Sequence, residues 1–503
     1  MHSATASPAD NRRTCSLEAS ICQPFSEPAY LSIGSAHRPC GQATLYPSPT
    51  MLQGRLRRNM LTTAAVRGLV GEFNHTIALE PDWQFAIAYG LNGVGKTKFL
   101  ELINASINLD LGGLALAWFT RLDLLADNGD RLTVSKVSIA AETDDEPVER
   151  VTYQLIAEEQ EELVEWIAPL EEDLSLRRRI QRNTPYVPVP GSPTLWRDPH
   201  DGEIIEYSEL RERYSPHFPS SRRSVRTSPP DALKAFLARN KTYLIETQRL
   251  ASVPPPNNRS RVDSQSSPKW NVEAYAGDLQ QRIERSLADN SLASQRLDRS
   301  FPRRIIDQQV EDAMTEEDIR EQYQQQDLHR RRLVDIGLTS AEMDVPLPAK
   351  ELKDWQRAVL TTYLQDNAQK LSTFDDLLLR ISLLEELVNA RFLRKEIVID
   401  ARNGLTVRSL TSGHPIPASG LSTGEQHELV LMYNLLFRVE PGTLVLIDEP
   451  EISLHVTWQK SFLADVARVA DLRGFSFIVA THSPQIIGKW WSRTVELGPG
   501  ENA

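Results

Sequence analysis

Short apolar runs separated by polar turns mark both ends of this chain, whereas its middle carries longer stretches of helical period. From residue 61 the pattern predicts strands over 62–69 and 75–79 around Gly71, a hairpin-like entry. Phe85-Ala-Ile-Ala-Tyr89 is an unbroken apolar run of strand length. A glycine-rich turn follows, and then Phe99, Leu100, Ile103 and Ile107 recur at helical spacing, predicting a helix over 97–107. Further strands are expected over 132–140 and 150–156. Residues 157–172 are acidic and amphipathic, and 185–230, rich in Pro, Ser and Arg, read as a long exposed loop. Residues 241–250 read as a strand ending in a polar turn, and 251–269 as a linker. Residues 271–393 are mostly helical by period, best seen over 374–392, with no heptad repeat sustained enough for a long coiled-coil arm. Strands return at 396–400, 405–410, 443–447, 477–480 and 494–497, with helices between most of them. Residues 1–60, rich in Ser, Pro and Ala and without a period, read as a disordered extension, and Met51 or Met60 is a candidate start.

Composition narrows the class. Of 503 residues, 40% are hydrophobic and 25% charged, as in an ordinary globular protein. No run of about 18 apolar residues suggests a membrane span, and the first residues lack the apolar core of a secretory signal. Cys15, Cys22 and Cys40 are the only cysteines, so nothing beyond them could form a disulfide or a CxxC site, and a cytoplasmic setting is expected. The net charge of −12 argues against nucleic-acid binding by bulk charge. Local arginine groups remain: Arg177 to Arg179 with Arg182, Arg222 and Arg223 with Arg226, Arg303 with Arg304, and Arg330 to Arg332. They could touch DNA phosphates, or they could be solvated faces offset by nearby acids.

Four stretches carry chemistry. Gly90-Leu-Asn-Gly-Val-Gly-Lys-Thr97 fits the pattern G-x-x-x-x-G-K-[ST], following an apolar run and opening a helix. Gly90, Gly93 and Gly95, with Asn92 in the turn, would let backbone N–H groups wrap phosphates at a helix N-terminus. Lys96 is expected on the β- and γ-phosphates and the Thr97 hydroxyl on Mg²⁺, which makes ATP and Mg²⁺ the implied ligands. Thr443-Leu-Val-Leu-Ile-Asp-Glu-Pro450 ends an apolar strand in two carboxylates. Asp448 is expected to bind Mg²⁺ directly or through water and Glu449 to polarise the attacking water; a core strand followed by a solvated acidic turn is the plain alternative. Leu421-Ser-Thr-Gly-Glu-Gln426 precedes an apolar helix over 429–437. Ser422, Gly424 and the helix start form a candidate anion site, or Ser422 or Thr423 simply caps the helix with Glu425 or Gln426 in its first turn. Phe477-Ile-Val-Ala-Thr-His-Ser-Pro484 ends a strand in Thr481 and His482, and a lone histidine is more often structural.

In order and spacing the four stretches resemble the ABC-type ATPases, whose signature is usually written LSGGQ. The resemblance implies that Ser422 and Gly424 meet the γ-phosphate held by the P-loop of a second molecule, so that a homodimer sandwiches ATP. It also implies that His482 contacts the γ-phosphate and positions the water. Gln248, near the end of the 241–250 stretch, is a candidate for the Mg²⁺-sensing glutamine of that family. After Asp448-Glu449-Pro450 the chain reads Glu451-Ile-Ser-Leu-His455. That form is similar to the RecF, SMC-related and OLD-type ATPases and to bacterial AAA-type proteins that include the Septu defence ATPases, rather than to transporter subunits. The likeness covers 62–107 and 394–497 and leaves the middle to composition.

The expected fold is α/β: a P-loop head of ABC type, a mixed sheet flanked by helices, with a large, mainly helical insertion. The parts are an N-terminal extension (1–60), the first half of the head (61–156), an insertion (157–393) and the second half of the head (394–503). The two halves must meet, because Thr97 and Asp448 are 351 positions apart yet belong to one site. The function expected is an ATP-hydrolysing switch in DNA surveillance or antiphage defence. No nuclease cluster, CxxC hook or TOPRIM domain is apparent, so a separate nuclease or other effector is the expected partner. DNA is an open partner and a membrane is not expected. The alternatives are a RecF-like repair ATPase, a non-hydrolysing ATP-binding scaffold and a transporter subunit.

Overall fold

A computed structural model describes residues 61–79, 84–139, 148–158, 163–168, 170–188, 195–198, 204–214, 228–246, 272–307, 313–339, 346–417, 420–452 and 454–498. Five apolar runs from distant parts of the chain form one all-parallel sheet. Its strands are β3 (Phe85–Tyr89), β11 (Thr242–Glu246), β15 (Leu444–Asp448), β16 (Ser476–Thr481) and β17 (Thr494–Glu496), in the order β11-β15-β16-β3-β17. Every position of β15 is buried, as a parallel strand covered on both faces requires.

The two faces belong to two cores. On one, Ala86, Ala88, Leu446, Ile478 and Ala480 pack with α1 (Lys96–Ile107) and with a second, antiparallel sheet. That sheet runs β2-β1-β4-β5-β6-β7, from β1 (Leu61–Leu69), β2 (Phe73–Ala78), β4 (Arg121–Ala126), β5 (Arg131–Ile139), β6 (Val148–Ile156) and β7 (Leu163–Ala168). On the other face, Phe85, Ile87, Val445, Ile447, Phe477 and Val479 join the core formed with α9 (Asp375–Asn389), α10 (Thr423–Phe437) and α11 (Val456–Arg473). The expected α/β fold of sheet and helices is therefore present, with parallel and antiparallel strands kept in separate sheets.

The segment expected as an insertion over 157–393 is tied into the head at several points. The strand β7 pairs with β6, and β11 pairs in parallel with β15 along its whole length. Phe236 of α5 (Asp231–Arg239) lies in the core under the parallel sheet. The boundary at 157 is thus corrected: an amphipathic acidic stretch, Leu163-Val-Glu-Trp-Ile-Ala168, is a sheet strand that buries Trp166 and Ala168. The long loop expected over 185–230 is corrected too. Here β8 (Val187–Pro188), β9 (Leu195–Arg197) and β10 (Ile204–Glu206) form a small sheet. With α3 (Leu170–Asn183) and α4 (Tyr207–Tyr214) it encloses Trp196, stacked on Tyr207 at 5.9 Å between ring centres. A few aromatic residues make a core of their own inside a stretch whose average composition is polar.

Helical structure dominates from residue 272, as the period predicts: α6 (Val272–Asp307), α7 (Glu316–Asp335) and α8 (Asp354–Ser372) precede α9. The helix α6 packs on a third sheet of β12 (Lys395–Asp400), β13 (Gly404–Ser409) and β14 (Pro415–Ile416). It is also fastened to α10 where the Tyr275 hydroxyl donates to Asn434 Oδ1 at 3.3 Å. Two short helices follow the site strands, α2 (Leu111–Leu116) after α1 and α12 (Pro484–Ile487) after β16. Among the described residues no helix is long and apolar enough to cross a membrane. The extension over 1–60, the linker over 251–269 and Gln248 lie outside the described residues.

Candidate nucleotide site

Parallel pairing places the C-terminal ends of three strands side by side. Tyr89 of β3 is in register with Thr481 of β16, and Ala480 of β16 with Asp448 of β15. The turn after β3, the carboxylates after β15 and the histidine after β16 therefore share one edge, where ligands bind in sheets of this kind.

The turn is shaped by its glycines. Gly93 and Gly95 hold φ of 88° and 89°, a left-handed backbone that favours glycine. A Cβ on Gly90 would lie 2.2 Å from the Leu497 carbonyl oxygen, where the chain just past β17 crosses the turn. Gly95 is also the N-cap of α1 and gives it no side-chain cap, which leaves the helix's first N–H groups available to an anion. Lys96 is buried, and its Nζ donates to the carbonyls of Gly90 and Leu91, both at 2.9 Å. Asn92 is exposed in the turn.

Across the edge, the Thr97 hydroxyl donates to Asp448 Oδ1 at 3.1 Å. Burial pushes the Asp448 carboxyl up to about 6, with Glu449, Glu101 and Glu451 adding to the rise and the Thr97 hydroxyl opposing it. Glu449 sits at φ 42° while its N–H donates to the Ala480 carbonyl at 2.9 Å. A non-glycine residue in that region is strained, and such strain clusters at functional sites. His482 Nδ1 lies 3.9 Å from Glu449 Oε1 and 3.1 Å from Glu451 Oε1.

Ser422 and Gly424 belong to a different part of the head. Ser422 is the N-cap of α10 and accepts from the Glu425 N–H at 3.3 Å, while Glu425 Oε2 accepts from the Ser422 N–H at 2.7 Å. Both halves of a capping box are present. Burial works against the Glu425 carboxylate, yet Lys395 at 2.9 Å and the Ser422 N–H hold it below its ordinary range. The plain reading of Ser422 as a cap is thus realised, and Ser422 and Thr423 remain exposed. The structure brings Gly90, Gly93, Gly95, Lys96, Thr97, Asp448, Glu449 and His482 to one edge. It puts Ser422 and Gly424 at the start of α10, which packs on α6, α9 and α11.

Two further residues at this edge lie outside the four motifs. His75, buried in β2, donates from Nε2 to the Val94 carbonyl at 2.6 Å and so holds the phosphate-binding turn from outside. Its only signal was a polar residue on the inward side of an alternating strand. Glu451 accepts from the Thr481 hydroxyl at 2.7 Å and from the His482 N–H at 2.8 Å. In Glu451-Ile-Ser-Leu-His455, used above only as a family mark, Leu454 is a core residue and His455 caps α11 by accepting from the Thr457 N–H.

The chain shares partial likeness with several known proteins. Residues 297–488 match the family described as "AAA domain, putative AbiEii toxin, Type IV TA system". That stretch holds Asp448, Glu449 and His482 but not the turn over 90–97. The "Retron Ec83 probable ATPase" of Escherichia coli is 27% identical over 146 residues, 27% of this chain and 26% of the relative, so the match spans about a quarter of that protein's length. Among solved structures, the SMC head domain of Pyrococcus furiosus with an extended coiled coil, bound to the C-terminal domain of ScpA, aligns with a TM-score of 0.32 and 12% identity. The alignment covers 87% of this chain and 93% of that one. The SMC head domain from Thermotoga maritima aligns with a TM-score of 0.29 and 11% identity over 85% and 91%. In its matched domain over 297–488 and in the motifs gathered at its sheet edge, the chain is similar to the AAA/ABC-like bacterial ATPases.

Proposed function

We propose that this protein is an Mg²⁺-dependent ATP-hydrolysing switch of bacterial defence, acting in the cytoplasm, whose heads close on ATP as a homodimer and control a separate effector. The observation that carries the reading is the hydrogen bond from Thr97 to Asp448, made across 351 positions and lying beside Glu449 and His482. The residues fit the ligands. Gly93 has nothing within 4 Å of where a Cβ would stand, so the turn stays open on that side. Thr97 and Asp448 offer hard oxygen donors of the kind Mg²⁺ takes, usually with substrate phosphates completing its shell. Among the described residues no group of three or more His, Cys, Asp and Glu could hold a metal by itself, which suits an ion shared with a nucleotide.

Mg²⁺ bound with ATP supplies charge neutralisation at the phosphates. The chain does the rest. The turn and the start of α1 bind phosphate oxygens, and Lys96 leaves the Gly90 and Leu91 carbonyls to reach them. Glu449 takes a proton from the attacking water, and His482 orients that water. Ser422, exposed at the start of α10, and the half-buried Gly424 face the nucleotide of a second copy. The defence assignment draws on the relative from a retron and on the toxin–antitoxin family match. The effector, a nuclease or another enzyme, and any DNA contact by the arginine groups follow from that assignment. Gln248 is proposed as the Mg²⁺-sensing glutamine.

Glu449→Gln tests the reading. It is expected to reduce phosphate release by about 10² to 10³-fold and to accumulate an ATP-dependent dimer in light scattering. Hydrolysis at the wild-type rate by this variant defeats the proposal.

A further inference from the structure

Beside the hydrolytic pair lies a third carboxylate with no part in the reaction scheme above. Glu451 opens the turn after Pro450, and its side chain is only 6% exposed. One oxygen, Oε1, gathers three groups of a single loop: the Thr481 hydroxyl at 2.7 Å, the His482 N–H at 2.8 Å and His482 Nδ1 at 3.1 Å. The other, Oε2, is buried without a hydrogen-bond partner. Leaving a carboxylate oxygen buried and unsatisfied is costly, so packing alone does not account for an acid here. The loop is held from a second side: Ser483 donates from Oγ to Gln459 Oε1 at 3.0 Å, and Gln459 Nε2 donates to the carbonyls of Glu451 and Leu454, both at 3.2 Å.

We propose that Glu451 is the positioning residue for His482. By engaging Nδ1 it keeps a proton on that nitrogen and leaves Nε2 as the ring's one other polar atom for the water and γ-phosphate. By holding the His482 N–H and the Thr481 hydroxyl it fixes the height of the loop above β16. A hydroxyl, an amide and an imidazole converging on one buried oxygen define a single ring orientation, which is what a group acting at a reacting phosphate needs. The inference rests on the ATP-hydrolysis reading and deepens it, because it assigns part of the rate to a residue that touches neither nucleotide nor metal.

The experiment uses the full chain and follows steady-state hydrolysis, nucleotide binding and thermal unfolding together. Glu451→Ala is expected to lower kcat by about 10- to 100-fold with KM and the ATP dissociation constant within about 3-fold of wild type. Glu451→Gln keeps an acceptor for the loop and is expected to recover part of that loss, stopping about 5-fold short of wild type. In a His482→Ala background, Glu451→Ala should cost nothing further, since a residue acting through the ring has no ring to act on. A wild-type kcat in Glu451→Gln, or losses that simply multiply in the double variant, overturns the assignment. If Glu451→Ala does not fold, Glu451→Gln and its combination with His482→Ala decide the matter alone. The parent reading is separable: active Glu449→Gln sinks both, whereas inactive Glu449→Gln with additive Glu451 effects sinks only this inference.

Discussion

Two acidic clusters in the C-terminal half of the chain are built from the same residue types and treated in opposite ways. Behind α10, Arg391 meets Glu428 Oε1 at 2.6 Å, the Ser461 hydroxyl at 3.1 Å and the Asp465 carboxylate as well, all largely out of water. One guanidinium fork satisfies two acids and ties the end of α9 to α10 and α11. At the sheet edge, Asp448, Glu449 and Glu451 crowd one another instead. Burial and the two neighbouring acids raise Asp448, Glu449 is held at φ 42°, and one oxygen of Glu451 is buried without a partner. The helix acids share a guanidinium that ties three elements together, although burial raises Glu428 as it raises Asp448. Crowded acids are a cost to the fold that a bound cation would relieve, a contrast that fits a ligand site at the edge better than a structural joint.

The contrast is broken most sharply by removing charge from each cluster in turn. Asp448→Asn is expected to cut ATP turnover by about 10³-fold or more, with a Tm equal to or above that of wild type, because a buried charge is gone. Phosphate release and calorimetry on one preparation check both halves. A fall in Tm would mean that Asp448 is a structural acid like Glu428. Arg391→Ala should do the reverse. It strands two buried carboxylates, and urea unfolding is expected to show a loss of about 3 kcal/mol. Undiminished stability would make the helix cluster no better neutralised than the sheet edge.

How much of this could be read from the sequence follows the range of the interactions. The three central parallel strands were legible because burial on both faces leaves unbroken apolar runs such as Phe85 to Tyr89 and Leu444 to Ile447. The glycine turn and the acidic pair were legible because phosphate and metal chemistry demand particular residue types at close spacing. What stayed hidden is set by partners far away in the chain. Arg121-Leu-Asp-Leu-Leu-Ala126 is a central strand that buries Leu122, Leu124 and Ala126, but its alternation is short and flanked by similar polar text. Trp196 and Tyr207 find each other across a stretch rich in Pro and Ser. Glu451 reads as one more surface acid until β16 brings Thr481 and His482 beside it.

A pH series sharpens the comparison on the helix side. Burial pushes Glu428 up to about 7; Arg391 pulls it down and Asp465 pushes it further up. Its folded value lies above the ordinary one, so between about pH 4.5 and 7 the folded protein keeps a proton that the unfolded chain releases. The contribution to stability is complete below that window and is lost as pH rises through it. Glu428→Gln holds no titrating proton and should flatten the difference in stability between pH 5 and pH 8 by an amount on the order of 1 to 3 kcal/mol. Identical slopes in wild type and variant would show that Glu428 stays ionised throughout, as a closed ion pair with Arg391 would keep it.

The smallest effect separates two roles that share one hydroxyl. Ser422 caps α10, and caps are worth about 1 kcal/mol; in the homodimer reading the same residue touches the partner's nucleotide. Alanine would remove both at once and decide nothing. Asparagine caps a helix as well as serine but offers an amide where the nucleotide would meet a hydroxyl. Ser422→Asn is therefore expected to stay within about 0.5 kcal/mol of wild type in urea unfolding, while ATP turnover and ATP-dependent dimer formation fall by about 10-fold. If both readings survive unchanged, the exposed end of α10 is a capped helix and nothing more. The crowded sheet edge would then have to complete its chemistry without a second copy.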